Sequence, residues 1–324
     1  MVEDQEGDNQ VTEIDKMSGE QILLVALNAK YIHSNPAVYS LAACANVASD
    51  NVSLAEFTIN DRYEDVLRGI LMRKPEVIGF SVYIWNAEFM KQLMEDIHRI
   101  APSIRLMAGG PEAANDPETY LAWCELVMLG EGERNFRTIA ACVKDHAAIP
   151  LETMEGVAYK AAHKDPGIVI HAPGPDSIPD MDRIPFLYSG LEPFENRIIY
   201  YESSRGCPFR CSYCLSSLEK KVRCRSMDLV RTELQYFLDR KVQQVKFVDR
   251  TFNSSSKRAL EIWTYIKEHD NGVTNFHFEI GADLLTEKEL QLLSSLRPGL
   301  VQLEIGIQTT HEPAAARILC LCMV

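Results

Sequence analysis

From residue 21 onward, short apolar runs alternate with longer stretches of helical period. ILLVAL (22 to 27) is followed by AVYSLAACANVA (37 to 48), then VSLAEFTI (52 to 59), YEDVLRGILMR, EVIGFSVYI and AEFMKQLMEDIHRI. IRLMAGG, a short helical ETYLAWC, LVMLGEGE and RNFRTIAACVKDH complete the series. Strands separated by helices long enough for a crossover predict a parallel sheet. The pattern supplies five such strands and closes near residue 148.

Five strand–helix units match a flavodoxin-like doubly wound domain over 21 to 148, whose ligands sit beyond the carboxyl ends of the strands. Residues 149 to 195 read as a linker in which GVAY and GIVIHAP suggest a hairpin, followed by the Pro-rich run APGPDSIPDMDRIPF. Alternation resumes with RIIYYESS, a helix from Ser226 through Arg240, VQQVKFV, a helix from Ser255 through Glu268, NFHFEI, a helix with a Thr286 and Glu289 capping box, and LVQLEIGIQ. Four strands predict part of a β/α barrel over 196 to 310. The last segment, 311 to 324 (HEPAAARILCLCMV), carries no further strand signal and reads as an aberrant tail.

Composition changes this picture little. Of 324 residues, 46% are hydrophobic and 24% charged, an ordinary globular balance. Residues 1 to 20 hold seven acids and one lysine, so this acidic, disordered-type tail supplies six of the formal net charge of −13. The absence of a basic stripe argues against direct nucleic-acid binding. With neither a signal-peptide layout nor an apolar run of membrane length, a cytoplasmic protein without membrane association is expected. Nine irregularly spaced cysteines do not make a disulfide framework.

Their grouping carries the chemistry. In YYESSRGCPFRCSYCLSS, Cys207, Cys211 and Cys214 follow a strand with the spacing Cys-x-x-x-Cys-x-x-Cys. Thiolates suit iron–sulfur clusters, which four such ligands usually hold, so three leave one iron open. Arg205 and Arg210 flank the loop and would offset its charge. A zinc site is the alternative, with Cys224 as fourth ligand, although no histidine lies between 172 and 268. Cys44, Cys124 and Cys142 fall at apolar helix positions and read as core.

This loop, with Tyr213 just before the last cysteine, resembles that of the radical S-adenosylmethionine (SAM) superfamily. The resemblance implies a 4Fe-4S cluster on Cys207, Cys211 and Cys214 whose open iron chelates SAM, and reductive cleavage of SAM to methionine and a 5′-deoxyadenosyl radical. It places Tyr213 near the adenine. It also implies SAM contacts from later strand ends: Asp249, Arg250 and Asn253 in VDRTFN, Glu279 and Asp283 in FEIGAD, and Glu304 and Gln308 in LEIGIQTT. Asp249 is the foremost of these, and a solvated or helix-capping acid is the alternative for each. Gly306 is read as a close backbone approach within a strand.

The first domain is similar to the cobalamin-binding domain fused to many members of that superfamily. Ser81 after the third strand, Gly109 and Gly110 after the fourth, and Gly130 and Glu131 after the fifth carry this, the glycines giving room to a large cofactor unless they merely serve turns. The Asp-x-His-x-x-Gly motif of domains that supply a cobalt ligand is missing. NAKYIHSNPA stands in its place, with His33 as a poor substitute and Asn35 and Pro36 starting a helix. The implied activity is SAM cleavage, with cobalamin-dependent methyl transfer to an unactivated carbon as one outcome, on a substrate the residues do not name. A small electron donor protein such as a flavodoxin or ferredoxin is the implied partner. The alternative is an inert iron–sulfur and cobalamin-binding module, suggested by the missing barrel units and the odd tail.

Overall fold

The computed structural model describes residues 20–161, 167–172, 180–218 and 221–318. Residues 1–19, part of the Pro-rich run (173–179) and the end of the tail with Cys320 and Cys322 lie outside the described residues.

The first half comprises β1 (Ile22–Asn28), α1 (Pro36–Asn46), β2 (Val52–Thr58), α2 (Tyr63–Leu71), β3 (Val77–Ser81), α3 (Ala87–Ile100), β4 (Arg105–Gly109), α4 (Pro111–Asn115), α5 (Pro117–Tyr120), β5 (Leu126–Met128) and α6 (Glu133–Lys144). The five strands are parallel in the order β2-β1-β3-β4-β5, the flavodoxin-like doubly wound arrangement. Every residue of β1 is buried. Leu23, Val25 and Leu27 join the core on one face, and Ile22, Leu24 and Ala26 the core on the other. That explains why this strand reads as an unbroken apolar run: helices cover the sheet on both sides.

The sheet does not stop at β5. A hairpin of β6 (Val157–Lys160) and β7 (Ile168–His171) continues it, with β6 antiparallel to β5, so part of the stretch between the two halves belongs to the first sheet.

The second half comprises β8 (Ile199–Tyr201), β9 (Ser204–Arg205), β10 (Arg223–Cys224), α7 (Met227–Asp239), β11 (Gln244–Phe247), α8 (Ser256–Glu268), β12 (Asn275–Ile280), α9 (Glu287–Ser294), β13 (Val301–Ile305) and α10 (Glu312–Arg317). Strands β8, β11, β12 and β13 form a parallel sheet in chain order, a partial β/α barrel. Ser226 caps α7, and the Thr286/Glu289 capping box starts α9. Burial alternates along β12, with Phe276, Phe278 and Ile280 inward against the helices. Phe278 packs against Phe247, Phe252 and Trp263 at centroid distances of 4.4, 4.3 and 5.9 Å. The opposite face carries Lys246, His277, Glu279 and Glu304.

Candidate functional site

The carboxyl edge of the first sheet is shaped by small and amide side chains. Asn86 donates to the carbonyls of Leu27 and Ser81, at 3.1 Å each, and pins β1 to β3 at the point where the strand order reverses. Ser81 is buried, and its hydroxyl accepts from the Asn35 amide at 3.0 Å. Asn35 and Pro36 do begin α1. Asn35 Oδ1 and the Ser34 hydroxyl are buried without a partner, two polar atoms left over at this edge. Tyr31, Ile32, Ile84 and Trp85 stand exposed beside them, with Tyr83 and Trp85 stacked at 4.4 Å. Apolar surface and unpaired polar atoms together make a cradle for a large amphipathic ring.

The glycines divide. Gly110 has φ +101°, and a Cβ there would meet the Val82 carbonyl oxygen at 2.4 Å, so its own backbone requires glycine. A Cβ at Gly109 would make only an ordinary 3.6 Å contact with Met128. Gly130, at φ +75°, turns the chain so that Glu131 leaves the end of β5. Glu131 then meets the second half of the chain: its carboxylate accepts from Arg223 through both oxygens, with Nη1 at 3.0 Å, and lies 3.2 Å from Arg205 Nη1.

In the second half, Cys207, Cys211 and Cys214 lie on the loop between β9 and β10, two-residue strands that pair antiparallel and close its base. Cys207 is buried, with its sulfur 3.6 Å from the Thr251 hydroxyl. Cys211 and Cys214 are half-buried, and Tyr213 is exposed. Among the described residues no three His, Cys, Asp or Glu side chains are already gathered as a metal-binding group. Cys224, the fourth ligand of the zinc alternative, sits exposed in β10 opposite Ser204. Three soft thiols on one short loop therefore remain the donor set, and its chemistry fits a cluster with an open iron. Cys124 is buried at 3.7 Å from the Met94 sulfur, and burial raises the half-buried Cys44 thiol to about 11, as core thiols behave. Cys142 is half-buried.

Several side chains expected at the cofactor serve the fold. Asp249 is buried, and burial raises its carboxyl above the usual range against three hydrogen bonds: the Ser203 amide at 2.8 Å and the Ser203 and Ser204 hydroxyls at 2.6 Å each. It ties the end of β11 to the corner from which the cysteine loop departs. Asn253 is likewise buried, exchanging both amide groups with the backbone of Gly281 at 2.8 and 2.9 Å, which joins the ends of β11 and β12. Arg205 does not offset thiolate charge. Its guanidinium is committed to Glu133 at 2.9 Å, Glu202 at 2.7 Å and Glu131, while Arg210 is exposed. Gly306 lies past the end of β13, and a Cβ there would meet only the Gln308 side-chain amide, so no backbone approach explains it. Gln308, Asp283 and Arg250 are exposed.

Glu279 and Glu304 belong to a charged wall on the exposed face of the second sheet. Lys246 lies 3.4 Å from Glu279 and 2.8 Å from Glu304, and His277 lies 3.1 Å from Glu304. Lys246, His277 and neighbouring Tyr200 were missed from strand ends alone; the alternation Phe-His-Phe-Glu-Ile in β12 was their signal.

The two edges face each other. The Ile198 amide donates to the Ile32 carbonyl at 2.9 Å, and His33 Nδ1 lies 2.5 Å from the Tyr200 hydroxyl, so His33 is engaged with the other domain. Arg197 pairs with Glu56 at 2.7 Å. β8 thus meets the loop after β1, while Arg205 of β9 and Arg223 of β10 meet the loop after β5. Burial raises the Tyr83 hydroxyl, opposed by its bond to Ser81 and by the charge of Arg250.

Comparison with known proteins agrees with this layout. Residues 22–140 match the B12 binding domain family and residues 201–319 the Radical SAM superfamily. An uncharacterized methyltransferase of Pyrococcus horikoshii is 26% identical over 221 residues, covering 64% of this chain and 46% of the relative. The cobalamin-dependent radical SAM methyltransferase TokK of Streptomyces tokunonensis is 27% identical over 206 residues, covering 58% of this chain and 29% of the relative. The chain thus spans less than half the length of either. A solved structure of the radical SAM methyltransferase TsrM of Kitasatospora setae, with cobalamin and a [4Fe-4S] cluster bound, superposes with TM-score 0.72 at 14% identity, covering 92% of this chain and 60% of TsrM. A radical SAM domain takes a 4Fe-4S cluster and SAM, a B12-binding domain takes cobalamin, and the residues at both edges fit those groups. No described helix is long and apolar enough to cross a membrane. Residues 201–319 form a Radical SAM superfamily domain, and a B12-binding domain at residues 22–140 precedes it.

Proposed function

We propose that this chain is a cobalamin-dependent radical SAM methyltransferase that cleaves SAM reductively and methylates an unactivated carbon. The observation that carries this is the apposition of the two cofactor edges: the loop after β1 meets β8 through Ile32–Ile198 and His33–Tyr200, and Glu131 after β5 contacts Arg205 and Arg223 at the base of the cysteine loop. When bound, the cluster supplies an electron to SAM, and cobalamin supplies a carrier for a methyl group.

The chain's own residues would do the following. Cys207, Cys211 and Cys214 hold the cluster. Asp249 fixes the Ser203–Ser204 corner, and hence the direction in which the loop leaves the sheet. Tyr31, Ile84 and Trp85 present apolar surface to cobalamin and exclude water from the interface. The wall of Lys246, Glu279 and Glu304 offers both signs of charge to the polar groups of SAM or substrate. An external one-electron donor, such as a flavodoxin or ferredoxin, would reduce the cluster in the cytoplasm.

Anaerobic reconstitution with iron and sulfide, then reduction with SAM and assay for 5′-deoxyadenosine, tests the proposal. The wild-type chain forms a cluster and releases 5′-deoxyadenosine, and Cys211→Ala does neither. Equal iron binding by Cys211→Ala, or a cluster that never yields product, overturns it.

A further inference from the structure

The base of the cysteine loop contains a repulsion that the other domain helps to resolve. In the β9–β10 ribbon, Arg205 and Arg223 are directly opposite each other. Like charges facing across an antiparallel pair destabilise it, and with Arg223 buried and Arg205 largely shielded the effect is sharper. Two residues per strand cannot offset that through backbone hydrogen bonds alone. What lies between the guanidiniums is Glu131 of the B12-binding domain, in contact with both. Arg205 also meets Glu202 of its own half at 2.7 Å and Glu133 at 2.9 Å, the latter held by the Ser40 hydroxyl at 3.0 Å, but among these only Glu131 contacts both arginines. Only Gly206, at φ +96°, separates Arg205 from Cys207.

We propose that Glu131 is a positioning residue for the cluster: it closes the ribbon beneath the cysteine loop by bridging Arg205 and Arg223, so that cluster retention depends on the B12-binding domain. Glu131 leaves β5 at the carboxyl edge where cobalamin would sit, so the two cofactors share this bridge. Whatever cobalamin contributes to cluster retention, the cluster returns to cobalamin affinity by the same factor. The inference rests on the cofactor set of the proposed function but not on its turnover.

The test uses the full chain, anaerobically reconstituted, with a ferrous chelator stripping iron and hydroxocobalamin as the probe. Wild type is stripped slowly, and more slowly with hydroxocobalamin present. Glu131→Gln is expected to lose iron about tenfold faster, the scale on which groups behind metal ligands act, and to lose the hydroxocobalamin effect. Adding Arg223→Glu to Glu131→Gln places a carboxylate opposite Arg205, restores attraction across the ribbon and returns slow stripping. A general loss of structure would not be repaired by a second charge change. Glu131→Asp, which keeps the charge on a shorter arm, falls between. Wild-type retention by Glu131→Gln, or a double variant no better than the single one, overturns the inference. A wild type that forms no cluster and leaves the hydroxocobalamin spectrum unchanged removes the proposed function instead.

Discussion

The two sheets of this protein use the same strand–helix unit for different ends. In the first, β1 is apolar on both faces and each face packs into its own core. On β1, β3 and β5 neither face is available to a ligand, so chemistry at these central strands is confined to their carboxyl edge. In the second, β12 alternates, with Phe276 and Phe278 against the helices and His277 and Glu279 on the other side. There the face itself is a wall with charge on it. A doubly covered sheet supports a site at its rim, whereas a barrel sheet supports one on its surface as well.

Paired substitutions sharpen this contrast most directly. On β12, Phe278→Ala should cost about 4 kcal/mol, whereas its neighbour Glu279→Gln, on a partly exposed ion pair, should cost under about 1 kcal/mol. On β1, Leu23→Ala and Leu24→Ala point to opposite faces, yet each should cost about 3 kcal/mol, read from denaturant midpoints. Equal costs at 278 and 279, or a cheap face on β1, would break the comparison.

A smaller effect is expected at the rim of the first sheet. Gly110→Ala forces a side chain into a left-handed backbone against the Val82 carbonyl and should cost about 2 kcal/mol, lowering the melting temperature. An unchanged melting temperature would mean that the turn is open and that glycine serves the cofactor alone.

The smallest effect is in pH. Burial, then the charge of Lys246, lowers His277 below its usual 6.5, against the pull of Glu304 and Glu279. The unfolded chain therefore takes the proton first, and stability falls as pH drops below about 6.5. His33 is lowered too, by burial and by Lys30 and Lys246, and acts in the same sense. The difference in urea midpoint between pH 7.5 and 5.5 should shrink in His277→Gln. If it does not, the wall is more solvated than its geometry indicates.

Regular elements were legible because each left a periodic trace. The five parallel strands, the Ser226 cap and the Thr286/Glu289 capping box were all visible in the residues. The cysteine spacing, with Tyr213 before the last cysteine, carried the resemblance to the superfamily. What stayed hidden depended on pairings distant in sequence. A ribbon two residues wide has no period to detect, and the link from Glu131 to Arg223 joins positions 92 residues apart. The partners of Asp249 were hidden for a related reason. An acid at a strand end can face a cavity or turn back under it, and two consecutive serines at 203 and 204, which turn it back here, looked like ordinary loop residues. Gly110 was read as room for a ligand when its own φ requires it.

The apposition of β8, β9 and β10 to the rim of the first sheet bears on how freely these domains can be exchanged. Arg197, Arg205 and Arg223 each meet carboxylates of the first domain, at Glu56, Glu131 and Glu133. A chimera that grafted a different B12-binding domain onto this barrel without acids at those positions would take a carboxylate away from each of these largely buried cations. The module boundary is therefore an electrostatic code: a donor domain qualifies by where its acids fall, ahead of how well its sheet superposes.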